Sequence, residues 1–303
     1  MRWYFARMAA KSKLPYRDPA AIFPRVGETS YDPDGKKTLE AMKYIGVDTV
    51  IHQLVDWGPG WGEEAPLSIE EINRLSCELS RKNPGKIYSA IGVDPRRHNA
   101  VKILEKGVKE WGAKCLKLYP ASGFFPNDPC CYPLYQKCVE LGIPVVIHTG
   151  SGGRTQYTMQ TDPIYIEPPA RDFPDLEFIL AHAGGLGLNY PYVWNALTVA
   201  RYSWNMSLEL SNWQSWVTPS PETKLKSKIP EFLDYLNTVR GAIGAHRIIW
   251  GTDYFSSKDW DVTKRWAELF LNLPARGAEY GYEFTQEETD LMCWGNAKRL
   301  FKI

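Results

Sequence analysis

The 303 residues are enough to bury the core of one large α/β barrel or of two ordinary domains. A formal charge of +1, with lysines and arginines scattered along the chain, argues against nucleic acid or an anionic membrane as the main partner. No stretch approaches the roughly 20 apolar residues of a membrane span. Six cysteines without a CxxC pair read as free thiols in a reducing, cytoplasmic compartment. Twelve tryptophans and seventeen tyrosines fit either a large core with aromatic loops or an aromatic-lined pocket.

Residues 1–31 form an atypical N-terminal segment that opens on MRWYFARMAAKSKLPYR, basic and free of acids. It reads as a basic amphipathic helix of the domain, with a transit peptide as the alternative. Beyond it, apolar strands alternate with helical patterns. GKKTLEAMKYIG precedes the strand DTVIHQLVDW (48–57). SIEEINRLSCELSRK, with Ser68 and Glu71 spaced as a capping box, precedes KIYSAIGVDP (86–95). AVKILEKGVKEWG leads into AKCLKLYP (113–120), and YPLYQKCVELG into IPVVIHTG. IEPPARDFPD leads into LEFILAHAG, YVWNALTVARYS into WNMSLELSN (204–212), and IPEFLDYLNTVRGAIG into RIIWGTDY (247–254). EETDLMCWGNAKRLF closes the chain as a terminal helix.

Seven strands separated by helices imply a parallel sheet covered by helices. An open doubly wound sheet usually announces its cofactor with a glycine fingerprint, and neither GxGxxG nor GxxxxGK[ST] occurs. The expectation is therefore α/β, a single (β/α)₈-type TIM barrel domain over 1–303 with seven recognisable strands, the first of eight being absent. In such a barrel, catalytic groups stand at the carboxyl ends of several strands. His148, His182 and Asp253 occupy such ends.

Two histidines and an aspartate from neighbouring strand ends are suited to one catalytic divalent ion with a position left open for water. Strand alternation puts Lys117 opposite Leu116 and Leu118, facing the barrel interior. Three readings of Lys117 stay open: an ion pair with Glu209, a substrate-carboxylate site, or a carboxylated lysine bridging two metals. Alternation also groups Phe178, Leu180 and His182 on one face, and Ile249, Gly251 and Asp253 on another. Gly184, Gly185 and Gly251 are expected to open space for a ligand. Ser207, Glu209 and Ser211 share a face too polar for a dry core. Arg96, Arg97 and Arg154 fall in loops after strands, where they suit a carboxylate clamp or plain solvation. Trp57, Trp61, Phe124 and Phe125 lie in loops of the same face.

The ordered series KLYPASGFFPNDP, GIPVVIHTG, FPDLEFILAHAGG, IIWGTDYF and GNAKRLF resembles the amidohydrolase superfamily, from about Asp32 to the end of the chain. More narrowly, it is similar to the amidohydrolase-related branch that includes aminocarboxymuconate-semialdehyde decarboxylase and the resorcylate decarboxylases. The resemblance implies a metal-dependent barrel with His148 and Asp253 as ligands of zinc or a similar divalent ion. His182 matches a histidine that is catalytic in the decarboxylases and a second-metal ligand in binuclear relatives. Asp253 also accepts a proton in the hydrolytic mechanism, so Asp253 and His182 are the expected catalytic pair. Lys117, Arg96 and Arg154 are the expected substrate-binding residues.

One departure stands out. The family's first strand carries an HxH pair, and none of the five histidines here forms one. The simplest account is a chain that begins after that strand; natural loss of the metal site is the alternative. The expected activity is metal-assisted hydrolysis or non-oxidative decarboxylation of a small acidic, cyclic or aromatic compound. A metal-free hydrolase on the same barrel and a catalytically impaired or non-catalytic barrel are the competing readings. The expected partner is a small molecule, with neither nucleic acid nor membrane, and with a homodimer left open. A seven-stranded, gapped barrel should hold at most a half-built metal site.

Overall fold

The computed structural model describes residues 32–152, 156–253 and 260–303. Seven strands form one parallel sheet in strict chain order: β1 (Val50–His52), β2 (Ile87–Gly92), β3 (Cys115–Leu118), β4 (Val145–His148), β5 (Phe178–Ala181), β6 (Met206–Glu209) and β7 (Ile248–Ile249). All seven anticipated strands form, and no ladder joins β7 to β1 among the described residues. This is the sheet of a TIM-type barrel with seven recognisable strands. The expectations for the N-terminal segment and for Arg154 lie outside the described residues.

Helices cover the outer face because their apolar residues recur at helical spacing. The main ones are α1 (Lys36–Ile45), α2 (Ile69–Lys82), α3 (Ala100–Lys109), α4 (Tyr132–Leu141), α5 (Tyr192–Tyr202), α6 (Ile229–Ile243) and α7 (Trp260–Leu271). In α2 the Ser68 hydroxyl accepts from the Glu71 amide at 3.2 Å, one half of the expected capping box. Glu70 and Glu71 at its start and Arg81 and Lys82 at its end complement the helix dipole. The chain ends in short helical segments, Gln286–Asp290 and Asn296–Phe301, joined by a π turn at Leu291–Gly295. No described helix is long and apolar enough to cross a membrane.

Alternation along the strands divides the core in two. Leu116, Leu118, Val145, Ile147, Phe178 and Leu180 belong to the large cluster between sheet and helices. Ala90, Cys115, Val146, Ile179, Ala181 and Ile249 point the other way and form the barrel interior, closed off by Leu300 and Phe301. Each fully buried aliphatic side chain contributes about 1.5–3 kcal/mol. The apolar interior therefore makes a rigid floor under whatever stands at the carboxyl ends of the strands.

Candidate active site at the carboxyl ends of the strands

One step above that floor the interior turns polar. Lys117 follows Cys115 on the inner face of β3, and His148 follows Val146 on β4. Glu209 ends β6 opposite Ala181. Lys117 is 5 % exposed, and His148 and His182 are buried beside it. The ring centroids of His148 and His182 lie 4.8 Å apart, edge to face, and the Tyr119 ring stands 4.4 Å from His148. The structure thus brings His148 and His182 together, with Lys117 acting electrostatically on His148.

His182 does not arrive there by alternation. Grouping it with Phe178 and Leu180 would point it at the helices, since those residues pack in the outer cluster. Strand β5 instead stops at Ala181, and His182 and Ala183 take left-handed φ of 68° and 45°. That turn swings the imidazole back toward the interior. Three contacts hold it: Thr149 Oγ1 donates to the Ala181 carbonyl at 2.6 Å and accepts from the Gly184 amide at 2.8 Å, while Trp213 Nε1 donates to the His182 carbonyl at 2.9 Å. Gly184 (φ 83°) does not open space for a ligand, because a Cβ there would overlap the Tyr192 carbonyl. Gly251 likewise leaves room for a neighbour, the Glu209 carboxylate, which a Cβ would meet.

Hydrogen bonding sets the protonation pattern of both rings. His182 Nδ1 lies 3.2 Å from the Ser211 carbonyl, which can only accept, so Nδ1 carries the proton and the neutral ring keeps its lone pair on Nε2. Ser211 Oγ donates to Glu209 Oε2 at 2.7 Å and, at 2.9 Å, accepts from the same Nδ1. The His182 amide also donates to Glu209 Oε2 at 3.3 Å. By the same reasoning His148 Nε2 donates to the Ser151 carbonyl at 3.2 Å, leaving the lone pair on Nδ1. Burial, reinforced by Lys117 and His182, holds the His148 imidazole well below its usual range. Burial also lowers the Lys117 ammonium, against the pull of Glu209 and Asp253, and raises the Glu209 carboxyl.

Asp253 follows β7 in a left-handed conformation (φ 45°), where Asn212 Nδ2 donates to its Oδ2 at 3.1 Å. Its charge reaches Lys117 and Tyr119, so it belongs to the same rim. His52 cannot join it. In register with Ser89, whose hydroxyl bonds Ser76 and Ser80 of α2, it stands on the helix-facing side.

The arginines have other work. Arg96 holds both oxygens of buried Asp94 (Nε–Oδ1 2.8 Å, Nη2–Oδ2 2.6 Å) and donates to the Ser122 and Gly123 carbonyls. Arg97 pairs with Asp56 (2.5 and 2.8 Å) and with Glu64. Asp56 also accepts the Asp94 amide at 2.8 Å. Arg96 thereby joins its own loop to the Ser122–Gly123 loop, a structural role beside the substrate role expected of it. Phe124 is buried in the outer core, whereas Trp57 packs 5.9 Å from the Tyr119 ring.

The donors suit a divalent ion in kind: a neutral imidazole with its lone pair on Nδ1 and a carboxylate. They do not suit it in number, since no three His, Cys, Asp or Glu side chains converge among the described residues. The described residues alone do not make a metal centre. Tyr119, Thr149 and Trp213 were not singled out from sequence; their only signal was adjacency to strand ends.

A family model described as Amidohydrolase matches residues 53–303. A 2-keto-4-carboxy-3-hexenedioate hydratase of Sphingobium is 26 % identical over 220 residues, 62 % of this chain and 62 % of that protein. An uncharacterized TIM-barrel protein from Bordetella bronchiseptica superposes with TM-score 0.62 at 21 % identity, covering 92 % of this chain and 85 % of the other. For 5-carboxyvanillate decarboxylase of Sphingomonas paucimobilis the values are 0.62, 14 %, 88 % and 82 %. For a manganese-bound dihydroxybenzoic acid decarboxylase of Polaromonas they are 0.63, 18 %, 94 % and 90 %.

Proposed function

The chain belongs to the amidohydrolase family, and on that premise we propose that it is a lyase that moves a proton on a small acidic compound, cyclic or aromatic. One observation carries the reading: His182 is turned into the interior with Nδ1 anchored on the Ser211 carbonyl and hydroxyl, the latter held in turn by Glu209, and its Nε2 lone pair left for chemistry. A base so held accepts a proton at Nε2 and, once protonated, delivers it to the substrate carbon from which carbon dioxide departs. Ser211 and Glu209 stabilise the imidazolium formed in between. Lys117 and the walls of the apolar floor would orient the substrate and exclude water. The substrates named for the hydratase and the two decarboxylases are carboxylates, which supports the acidic class.

Hydrolysis is the second reading, favoured by Asp253 on the exposed rim, where a carboxylate can take a proton from water. A divalent ion, zinc or the manganese of the Polaromonas enzyme, remains part of the proposal with His148 and Asp253 as its ligands. Further donors would have to come from outside the described residues. Arg154 as a substrate contact, a cytoplasmic setting, a small molecule as partner with neither nucleic acid nor membrane, and a homodimer left open belong to the same proposal.

The test is a panel of hydroxybenzoates and unsaturated keto acids, followed by carbon dioxide release and by solvent-deuterium incorporation. His182→Asn should lower kcat by at least about 100-fold. Its melting temperature should stay within a few degrees. Unchanged kcat with a large stability loss would make His182 a structural residue, since unpairing a buried polar group costs about 1–3 kcal/mol. Metal analysis of the same preparation, with and without added zinc or manganese, decides the ion.

A further inference from the structure

Left-handed backbone at two successive non-glycine residues, His182 (φ 68°) and Ala183 (φ 45°), is costly for L side chains, so the turn after β5 needs something to hold it. The strand itself opposes the turn. Phe178 and Leu180 pack in the outer cluster, and extended backbone continued to residue 182 would carry the imidazole to that side. Two side chains from other elements reach the turn. Trp213 Nε1 donates to the His182 carbonyl, which also accepts the Gly185 amide at 2.9 Å, so this oxygen keeps a partner without the indole. Thr149 instead ties the two ends together. Its Oγ1 donates to the Ala181 carbonyl at the entry (2.6 Å) and accepts from the Gly184 amide at the exit (2.8 Å). One hydroxyl thus uses its single proton and a lone pair to close the turn.

That hydroxyl is a fixed post. Thr149 donates its own amide to the Ala181 carbonyl at 3.2 Å, extending the ladder between β4 and β5, and the following amide, of Gly150, donates to the Thr161 carbonyl at 3.1 Å. Thr149 is 1 % exposed and Gly184 is buried, so bulk water does not stand in for a missing hydroxyl. Without it the Ala181 carbonyl keeps the Thr149 amide, whereas the Gly184 amide is left buried with no acceptor from Thr149. The strained turn then loses the bond that closes it. We propose that Thr149 is a positioning residue that decides which side of the sheet His182 faces. It acts through the turn, with no contact to substrate. The residue that follows His148 in the chain therefore also aims His182, and so sets the 4.8 Å between the two rings. This deepens the reading above and rests on it only for the consequence in turnover.

The experiment labels the full chain at its five histidines and reads contacts between ring protons by NMR. His148→Asn and His182→Asn assign the two signals. The unsubstituted chain should show a nuclear Overhauser cross-peak between the His148 and His182 rings. Thr149→Val keeps the branched shape and deletes the hydroxyl, so it should lose the cross-peak, and Thr149→Ser should keep it. If Thr149→Val does not fold, Thr149→Ala makes the same comparison with less crowding. A cross-peak as strong in the hydroxyl-free variant as in the unsubstituted chain would overturn the proposal, and so would its loss in Thr149→Ser. On any compound of the panel that is turned over, Thr149→Val should lower kcat at least about tenfold with KM within about threefold, and Thr149→Ser should restore kcat. Loss of the cross-peak with unchanged kcat would remove the proton-transfer reading alone. An unchanged cross-peak with lowered kcat would remove this one alone.

Discussion

The two halves of the rim are built on different physics. On the β1–β3 side, two arginines and two buried carboxylates lock three loops: Arg97 on Asp56, Arg96 on Asp94, and Ser122 Oγ donating to Asp94 at 3.1 Å. On the β5–β7 side the backbone itself is unusual. His182, Ala183, Asn212 and Asp253 all adopt left-handed φ, four of the six described non-glycine residues that do. Backbone strain gathers where a side chain must be aimed, whereas charge pairs gather where loops must be held. The electrostatic half is scaffold and the strained half carries the candidate chemistry. Arg96 and Arg97 are thus committed to buried carboxylates, whereas the left-handed His182 is turned toward the interior, where the proposal places its chemistry.

That contrast can be broken from either side. Removing the Asp56 carboxylate by Asp56→Ala leaves Arg97 without its buried partner. Loss of a partner from a buried pair costs about 3–5 kcal/mol. Urea unfolding should show a loss near the lower end, because exposed Glu64 remains to Arg97. A loss under about 1 kcal/mol would mean the lattice behaves like ordinary surface pairs.

Gly251→Ala strikes the other half, where the new methyl must displace the Glu209 carboxylate. Overpacking of this kind costs about 1–3 kcal/mol. Because Glu209 and Ser211 anchor His182, kcat should fall further than the stability loss explains. Wild-type turnover in the folded variant would detach Glu209 from the site.

Asn212 separates strain from hydrogen bonding. Asn212→Ala keeps a Cβ at φ 66° and deletes the amide that bonds Asp253, so it should lose about 1–2 kcal/mol. Asn212→Gly deletes the same amide but tolerates the conformation. Its melting temperature should match or exceed that of Asn212→Ala, with activity lowered equally in both. Unequal activities would show that backbone shape, rather than the hydrogen bond, orients Asp253.

The smallest effect expected is a pH dependence. Burial holds His148 below the ordinary 6.5, so below that pH the unfolded chain takes up a proton that the folded chain refuses. Stability should therefore be unaffected by His148 above pH 6.5 and fall as the pH drops below it, until the folded imidazole titrates. His148→Asn should flatten that part of the curve. An unchanged slope would place the proton uptake elsewhere.

Much of this was legible in the residues. Seven parallel strands could be read because apolar alternation and glycine or proline punctuation are local properties of the chain. Lys117 could be assigned to the interior because Leu116 and Leu118 flank it, and the strand ends at His148, His182 and Asp253 followed from where apolar runs stop. Only tertiary structure decided what those ends do. Alternation fails for His182 as soon as the strand gives way to left-handed backbone, and nothing within a few residues announces that turn. Asp94 lies only 2 positions from Arg96, but Asp56 lies 41 from Arg97 in another loop, and a charge chooses its partner by distance in space. The glycines likewise acquire meaning from what lies against them, the Tyr192 carbonyl for Gly184 and the Glu209 carboxylate for Gly251. Periodicity is written along the chain; the pairing of charges, the room left by a missing side chain and the number of donors around one point are properties of the folded volume.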